Sequence, residues 1–351
     1  MVQTMTDREA TSGASSLREL SLKAYRFMLL ARVIDDKFAS LYRAGKIHGG
    51  VFLGRGQEAL SVSIGLALRE GDVFAPLIRD QAGRLAFGEP LIDAVRTYLG
   101  SELGPMRGRD GNVHRGDPQK GLLPMISHLG AMISVVNGAL FARRMKGITG
   151  TVGVACLGEG ATSTGAFHEA LNQAAIEKLP LVVVVANNQY AYSTPNDRQF
   201  ACAALTDKAV GYGMQSCSVD GTDLRACLDV VGEAVEQARA GGGPRLVVAT
   251  LLRLCGHGEH DDAGYIVPEL KNSHLGRDCL KVAEEFLLRE KWADNDTLAQ
   301  WRSEAVQQVE TTVATVQREP SPDPFNHEWR ALSTAAFVET HDAESPGPVE
   351  I

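Results

Sequence analysis

Two side chains with oxygen donors stand at the ends of two apolar runs. Glu159 follows Thr151–Gly158 (TVGVACLG) and Asn188 closes Pro180–Asn188 (PLVVVVANN), with the helix-length stretch GAFHEALNQAAIEKL between them. Strand, helix and strand make a βαβ unit, and its right-handed crossover brings both strand C-termini to one edge of a sheet. Neighbouring parallel strands lie about 4.8 Å apart, so a carboxylate after one and an amide oxygen after the next, or next but one, can share a cation. Such donors select a hard metal. Magnesium takes one or two protein oxygens and completes its shell with phosphate oxygens and water, and the helix starting near Thr164 offers free backbone N–H groups to a diphosphate.

Gly158 and Gly160 flank Glu159 and allow close backbone approach. The next glycine is Gly165, whereas a dinucleotide fingerprint would place its third glycine at Ser163, so an ordinary nicotinamide site is disfavoured. The plainer reading is a tight βα turn at Gly158–Gly160 and a strand cap at Asn187–Asn188. A second cluster is the loop Gly256–Asp262 (GHGEHDD). A loop histidine can donate or accept a proton while nearby carboxylates orient its neighbours. Zinc held by His257, His260 and Asp261 is the lesser reading, because the HExxH spacing is absent.

A frame must position these groups. Residues 1–16 (MVQTMTDREATSGASS) are polar and read as a flexible leader. From Leu17, LRELSLKAYRFMLLARVIDDKFASLYRAG carries apolar residues at three-and-four spacing up to Gly45, which predicts an amphipathic helix of about seven turns. GQEALSVSIGLALREGD predicts a second helix stopped by Gly71, PLIDAVRTYLGSELG a third, and ISHLGAMISVVNGALFARRMKG a buried helix rich in small residues. Beyond the βαβ unit, PRLVVATLLRL reads as another buried strand, and KVAEEFLLRE and TLAQWRSEAVQQVETTVATVQ as amphipathic helices. Strands apolar on both faces need helices above and below, so the fold class is α/β, a mainly parallel sheet with helices on both faces. EPSPDPF and the acidic tail, residues 339–351, read as irregular surface chain, and residues 17–338 as one domain without internal repeats.

At 351 residues and 44% hydrophobic content, the chain can bury a large core. A formal net charge of −8 without any basic run argues against nucleic acid or an anionic membrane surface and leaves small molecules and proteins as partners. No stretch reaches roughly 18–20 consecutive apolar residues and the opening is not a signal peptide, so a cytoplasmic location is expected. The six cysteines lack a CxxC pair and read as reduced thiols.

GEG, a helix, an apolar strand and NN together resemble the thiamine-diphosphate signature, in which GDG is followed after about 25–30 residues by NN. LARVIDDKFASLYRAGKIHG, GQEA (Gly56–Ala59), LNQAAIEKLPLVVVVANNQYAYSTP and LRLCGHGEHDDAGY resemble, in order and spacing, the alpha subunits of 2-oxo acid dehydrogenases, from about Leu17 to Trp329. The resemblance implies the thiamine-diphosphate-binding fold, thiamine diphosphate and Mg2+ as cofactors, and decarboxylation of a 2-oxo acid with acyl transfer to a lipoyl group. It implies that Glu159, Asn188 and the backbone carbonyl of Tyr190 hold magnesium against the diphosphate, at a turn that Gly158, Gly160 and Ala161 also shape. Arg79 would reach the diphosphate, Ser127 and Leu129 would sit near the aminopyrimidine, and His257 would stand over the thiazolium with Arg253 steadying its loop and the phosphate. His128, between those two pyrimidine contacts, and His114, which ends GRDGNVH where the family usually has GGSMH, become candidates to touch substrate. Lone histidines as often serve structure.

Several positions depart from the commonest pattern. Glu159 stands where pyruvate dehydrogenases usually have aspartate, whereas GEG and the YAYSTP after the asparagines resemble branched-chain enzymes, which tilts the substrate toward branched 2-oxo acids. Ile78 replaces the tyrosine before the family arginine, and Ala186 stands where a charged residue often precedes the asparagines, so cofactor contacts are expected to differ there. Gly258 occupies the position of a regulatory serine in mitochondrial relatives, which excludes phosphorylation at that point. In such enzymes a separate beta subunit supplies the activating glutamate, so the resemblance implies an α2β2 heterotetramer that docks a lipoyl-bearing acyltransferase. An acetoin dehydrogenase alpha subunit is the nearest alternative, and a noncatalytic paralogue acting as an assembly partner is another.

Overall fold

The computed structural model describes residues 6–111 and 113–326. The first five residues of the polar leader, Trp329 and the acidic tail lie outside them.

The N-terminal part is helical around one short strand: α1 (Thr6–Arg43), α2 (Glu58–Ala67), β1 (Val73–Ala75), α3 (Gln81–Phe87), α4 (Leu91–Leu99) and α5 (Ala131–Met145). The central unit follows as β2 (Gly153–Gly158), a 3₁₀ turn over Glu159–Ser163, α6 (Gly165–Glu177) and β3 (Leu181–Asn187). Two short strands, β4 (Tyr190–Ala191) and β5 (Thr194–Pro195), make a small antiparallel pair, and α7 (Asp207–Val210), β6 (Gln215–Asp220), α8 (Leu224–Arg239) and β7 (Arg245–Thr250) complete the sheet. Then come α9 (Pro268–Lys271), α10 (Cys279–Arg289) and α11 (Asn295–Val316).

The main sheet is wholly parallel, in the order β1-β2-β3-β7-β6. Alternation along each strand splits its side chains between two buried layers. Val154, Val182, Val184, Ala186 and Val247 face a layer built with α1, α2, α3, α4, α8, α10 and α11. Ala155, Leu157, Leu181, Val183, Val185 and Val248 face a second layer built with α5, α6 and α7. Each valine or leucine removed from water in this way contributes about 1.5–3 kcal/mol, which explains why β2 and β3 are apolar on both faces. The α/β class and the two-sided helix cover expected from the sequence are both present.

Two boundaries and one burial pattern differ from expectation. α1 begins at Thr6 rather than near Leu17, because a helix with a packed segment extends at one hydrogen bond per added residue even through polar sequence. α2 ends at Ala67, before Gly71, where Leu68 turns to an extended conformation. α5 is buried on one face only: Ile133, Val136 and Leu140 enter the second layer, whereas Val135, Phe141 and Met145 are exposed. α2 and α3 cross in contact through glycines. A Cβ on Gly65 would lie 2.2 Å from the Gly83 carbonyl oxygen, and one on Gly83 would lie 2.5 Å from the Ser61 carbonyl oxygen. Among the described residues, no helix is long and apolar enough to cross a membrane.

Candidate active site

The candidate site forms where β2, β3 and β7 end. Gly158 stands opposite Ala186, and Asn187 opposite Thr250, so Glu159 and Asn188 leave adjacent strands at the same edge. The backbone N–H of Asn188 donates to Glu159 Oε2 at 3.1 Å, and the Gln199 amide donates to Glu159 Oε1 at 3.3 Å. Glu159 is buried, and that burial pushes its carboxyl above the ordinary carboxylate range, against the pull of its hydrogen bonds and of Arg253. Among the described residues no lysine or arginine forms an ion pair with it. A buried carboxylate without a paired cation, with lone pairs still open, is a fitting ligand for a divalent metal.

The turn after β3 supplies the other oxygens. Asn188 Oδ1 accepts the Tyr190 N–H at 3.3 Å, and Gln189 between them is left-handed at φ +77°, which folds the chain back toward Glu159. The Tyr190 carbonyl accepts from Arg253 Nη1 at 3.0 Å, which occupies one of its two lone pairs and leaves the other for a ligand. Gly160 must be glycine, since a Cβ there would lie 2.6 Å from the Ala191 side chain. Glu159 and Asn188 are thus in direct contact, and the Tyr190 carbonyl follows on the same turn. Gln199, which also reaches Glu159, was not expected; nothing in its spacing points to it, because α6 and β3 lie between them in the chain.

Arg253 organises the third strand end. Buried after β7, it donates to the carbonyls of Tyr190, Tyr192 (2.7 Å) and Cys255 (3.0 Å) and to the Tyr265 hydroxyl. Arg79 does similar work from the β1 side. Its guanidinium donates to the Leu53 carbonyl at 2.8 Å and the His257 carbonyl at 2.6 Å, and so ties the loop before α2 to the histidine loop. Asp261 closes that loop by accepting the His257 N–H at 2.6 Å, the Tyr265 hydroxyl at 2.6 Å and the Ala263 N–H at 2.9 Å. Asp261 is committed to loop closure, and among the described residues no group of three or more His, Cys, Asp or Glu side chains is arranged to hold a metal.

His257 packs edge-on to Phe52 at 5.3 Å and against Tyr192 at 4.5 Å. Burial, together with Arg79 and Arg253, brings its imidazole down to about 4, so the ring is neutral at neutral pH. Arg79 Nη2 lies 3.5 Å from Nδ1, which turns the Nδ1 lone pair to the guanidinium and leaves the proton on Nε2.

A cavity of about 240 Å³ lies next to these parts: His257 lines it, together with Gly158 and Ala161 on either side of the Glu159 turn, whereas Glu159, Asn188, Tyr190 and Arg253 do not. Its lining includes His257, Phe52 and Ile78, the loop residues Ser127, His128 and Leu129, and Gly158 and Ala161. A Cβ added to Gly158 would meet nothing within 4 Å, so this strand end opens on free space. The loop bearing Ser127 to Leu129 lies against the start of α6, where the Thr164 hydroxyl has its one proton between the Ala161 carbonyl at 2.8 Å and the Leu129 carbonyl at 3.3 Å. α6 starts next to Thr164, as expected from the sequence, and the Thr164 hydroxyl caps it by accepting the Phe167 N–H, although a 3₁₀ turn separates that helix from β2. Arg79 lies at the histidine loop rather than on the cavity wall, and Ala186 points into the first buried layer, away from the cavity. His114 is outside the lining and reaches Ser127 Oγ at 3.2 Å.

Residues 25–325 match the family described as Dehydrogenase E1 component. The chain belongs to that family. This E1 chain is 32% identical over 308 residues to the alpha subunit of acetoin:2,6-dichlorophenolindophenol oxidoreductase from Cupriavidus necator, covering 88% of this chain and 92% of the relative. It is 34% identical over 307 residues to the pyruvate dehydrogenase E1 component subunit alpha of Rhizobium meliloti, covering 87% and 88%. It is 37% identical over 284 residues to the 2-oxoisovalerate dehydrogenase subunit alpha of Bacillus subtilis, covering 80% and 82%. The E1 chain is therefore of the alpha-subunit, thiamine-diphosphate-dependent 2-oxo acid dehydrogenase type, as the sequence motifs imply. Its residues fit that cofactor: apolar walls suit the rings, the space beside Gly158 admits a ligand, and Glu159 suits the accompanying cation.

Proposed function

We propose that this chain is the alpha subunit of an α2β2 2-oxo acid dehydrogenase that decarboxylates a branched-chain 2-oxo acid and passes the acyl group to a lipoyl-bearing acyltransferase in the cytoplasm. The observation that carries the reading is the convergence of Glu159, Asn188 and the Tyr190 carbonyl beside a cavity closed by a neutral histidine. When bound, thiamine diphosphate would supply the electron sink for the bonding pair that CO2 leaves behind. Glu159, Asn188 Oδ1 and the Tyr190 carbonyl would hold Mg2+, and Arg253 keeps that carbonyl in place. His257 keeps a proton at Nε2 on the cavity wall, where it can be donated to a substrate oxygen. His128 also lines the cavity and is the second candidate for substrate contact. Ile78, Met125 and Leu129 give the cavity an apolar wall that favours a branched aliphatic substrate, in keeping with the likeness to 2-oxoisovalerate dehydrogenase. An acetoin-cleaving alpha subunit is the second reading, favoured by the extent of the likeness to the acetoin enzyme.

The test is calorimetry of thiamine diphosphate with Mg2+, on this chain, on the chain with its beta partner, and on that complex carrying Glu159→Ala. Tight binding in the complex that is lost in the variant supports the interfacial cofactor site, and turnover of branched 2-oxo acids over pyruvate and acetoin then supports the substrate. Absence of binding by the intact complex overturns the enzymatic reading and leaves a noncatalytic assembly partner.

A further inference from the structure

Three side chains, of which only Ser127 lines the cavity, are joined by a chain of hydrogen bonds that no step above uses. Asp110 Oδ2 lies 2.8 Å from His114 Nδ1, and His114 Nε2 lies 3.2 Å from Ser127 Oγ. The three groups come from two separate segments, the loop after α4 and the loop before α5. A carboxylate can only accept, so Asp110 draws the imidazole proton to Nδ1. Nε2 is then an acceptor, and the Ser127 hydroxyl must spend its one proton on it. The lone pairs of Ser127 Oγ are left for the cavity that Ser127 lines.

We propose that Asp110 and His114 are positioning residues that fix Ser127 as a hydrogen-bond acceptor, and so select an N–H donor on the ligand edge that meets it. On the cofactor reading above, on which the identity of the ligand rests, that donor is the amino group of the pyrimidine ring. The opposite histidine tautomer would turn the hydroxyl proton into the cavity and present a donor to a donor. Polarity at Ser127 is thus decided by Asp110, which does not itself line the cavity.

Asp110→Asn is the informative change. The asparagine amide can donate to Nδ1, which moves the imidazole proton to Nε2 and reverses Ser127. Nitrogen-15 NMR of the full chain at alkaline pH, with the His114 signals assigned by comparison with His114→Gln, reads the tautomer directly and needs no cofactor. The expected result is Nδ1–H in the parent and Nε2–H in Asp110→Asn; Nε2–H in the parent, or the same tautomer in both, overturns the proposal. In the complex with the beta partner, Asp110→Asn should weaken thiamine diphosphate binding about tenfold when Ser127 is present and leave it unchanged in a Ser127→Ala background. Equal losses in both backgrounds overturn a role through Ser127. Failure of the parent complex to bind the cofactor would sink the functional reading, while the tautomer comparison would still decide the relay.

Discussion

Replacing Asp35 by asparagine is expected to stabilise the chain above neutral pH. Asp35 lies on α1 with 5% of its surface exposed, and its Oδ2 accepts the Gly54 N–H at 2.7 Å. Burial pushes its carboxyl up to about 7; Glu58 and Asp36 push the same way, while the Gly54 N–H and the Arg32 guanidinium pull down. In the unfolded chain the group returns to 3.8. The folded value is the higher one, so the stability linked to this proton is fully present below pH 3.8 and is lost as pH rises through about 7. At about 1.4 kcal/mol per pH unit, that window corresponds to about 4 kcal/mol. Asparagine keeps an acceptor for Gly54 and carries no charge to desolvate. Asp35→Asn should therefore match the parent in acid and exceed it by up to about 4 kcal/mol in alkaline buffer. Urea unfolding across that range reads the difference as a midpoint shift at constant slope. A variant whose midpoint trails the parent at every pH, or leads it by a constant margin, would refute the assignment of a buried, unpaired carboxyl to Asp35.

Arg253→Lys should weaken binding of thiamine diphosphate with Mg2+ by about tenfold or more, because one ammonium cannot reach the carbonyls of Tyr190, Tyr192 and Cys255 together and each stranded carbonyl costs about 1–3 kcal/mol; calorimetry on the complex with the beta partner checks this, and unchanged affinity would remove Arg253 from the metal-site account. His257 gives a pH signature of the opposite sign to Asp35. Its folded value, about 4, lies below the unfolded 6.5, so the stability it carries is present above pH 6.5 and is lost as pH falls toward about 4. Thermal unfolding of His257→Asn should show a smaller acid loss over that window than the parent, and parallel curves would contradict the buried neutral imidazole.

The central unit was legible because its physics is local. TVGVACLG and PLVVVVANN are apolar on both faces, as strands between two helix layers must be, and Thr164 caps the helix between them. β6 was missed for the converse reason: as an edge strand its Gln215, Ser216 and Ser218 are exposed, so it carries no apolar run. α3 was missed because it is only seven residues long and carries Gly83 in its middle, a residue that lowers helix propensity but is required by the contact with α2. α5 reads as buried because its first eleven residues, AMISVVNGALF, are mostly small or apolar around the whole helix, so the sequence does not mark which face stays open. Of the site, Glu159 and Asn188 followed from strand order alone, and Arg79, Ser127 and His257 from family motifs. The hydrogen bonds that define their roles join distant segments, such as Arg79 to Leu53 and His257, or Asp110 to Ser127 through His114, and no periodicity encodes them.

The order β1-β2-β3-β7-β6 also governs how the chain can be made. β7 is the last strand of the sheet to emerge from the ribosome, yet it is seated between β3 and β6. Until residue 250 has been synthesised, β3 has a partner on one side only, and its LVVVVAN edge is long, apolar and unpaired. Such an edge is a template for pairing with another chain. A message truncated before β7 should therefore yield an aggregating fragment rather than a smaller folded unit, and the interval between translation of β3 and of β7 is when the nascent chain most needs a chaperone.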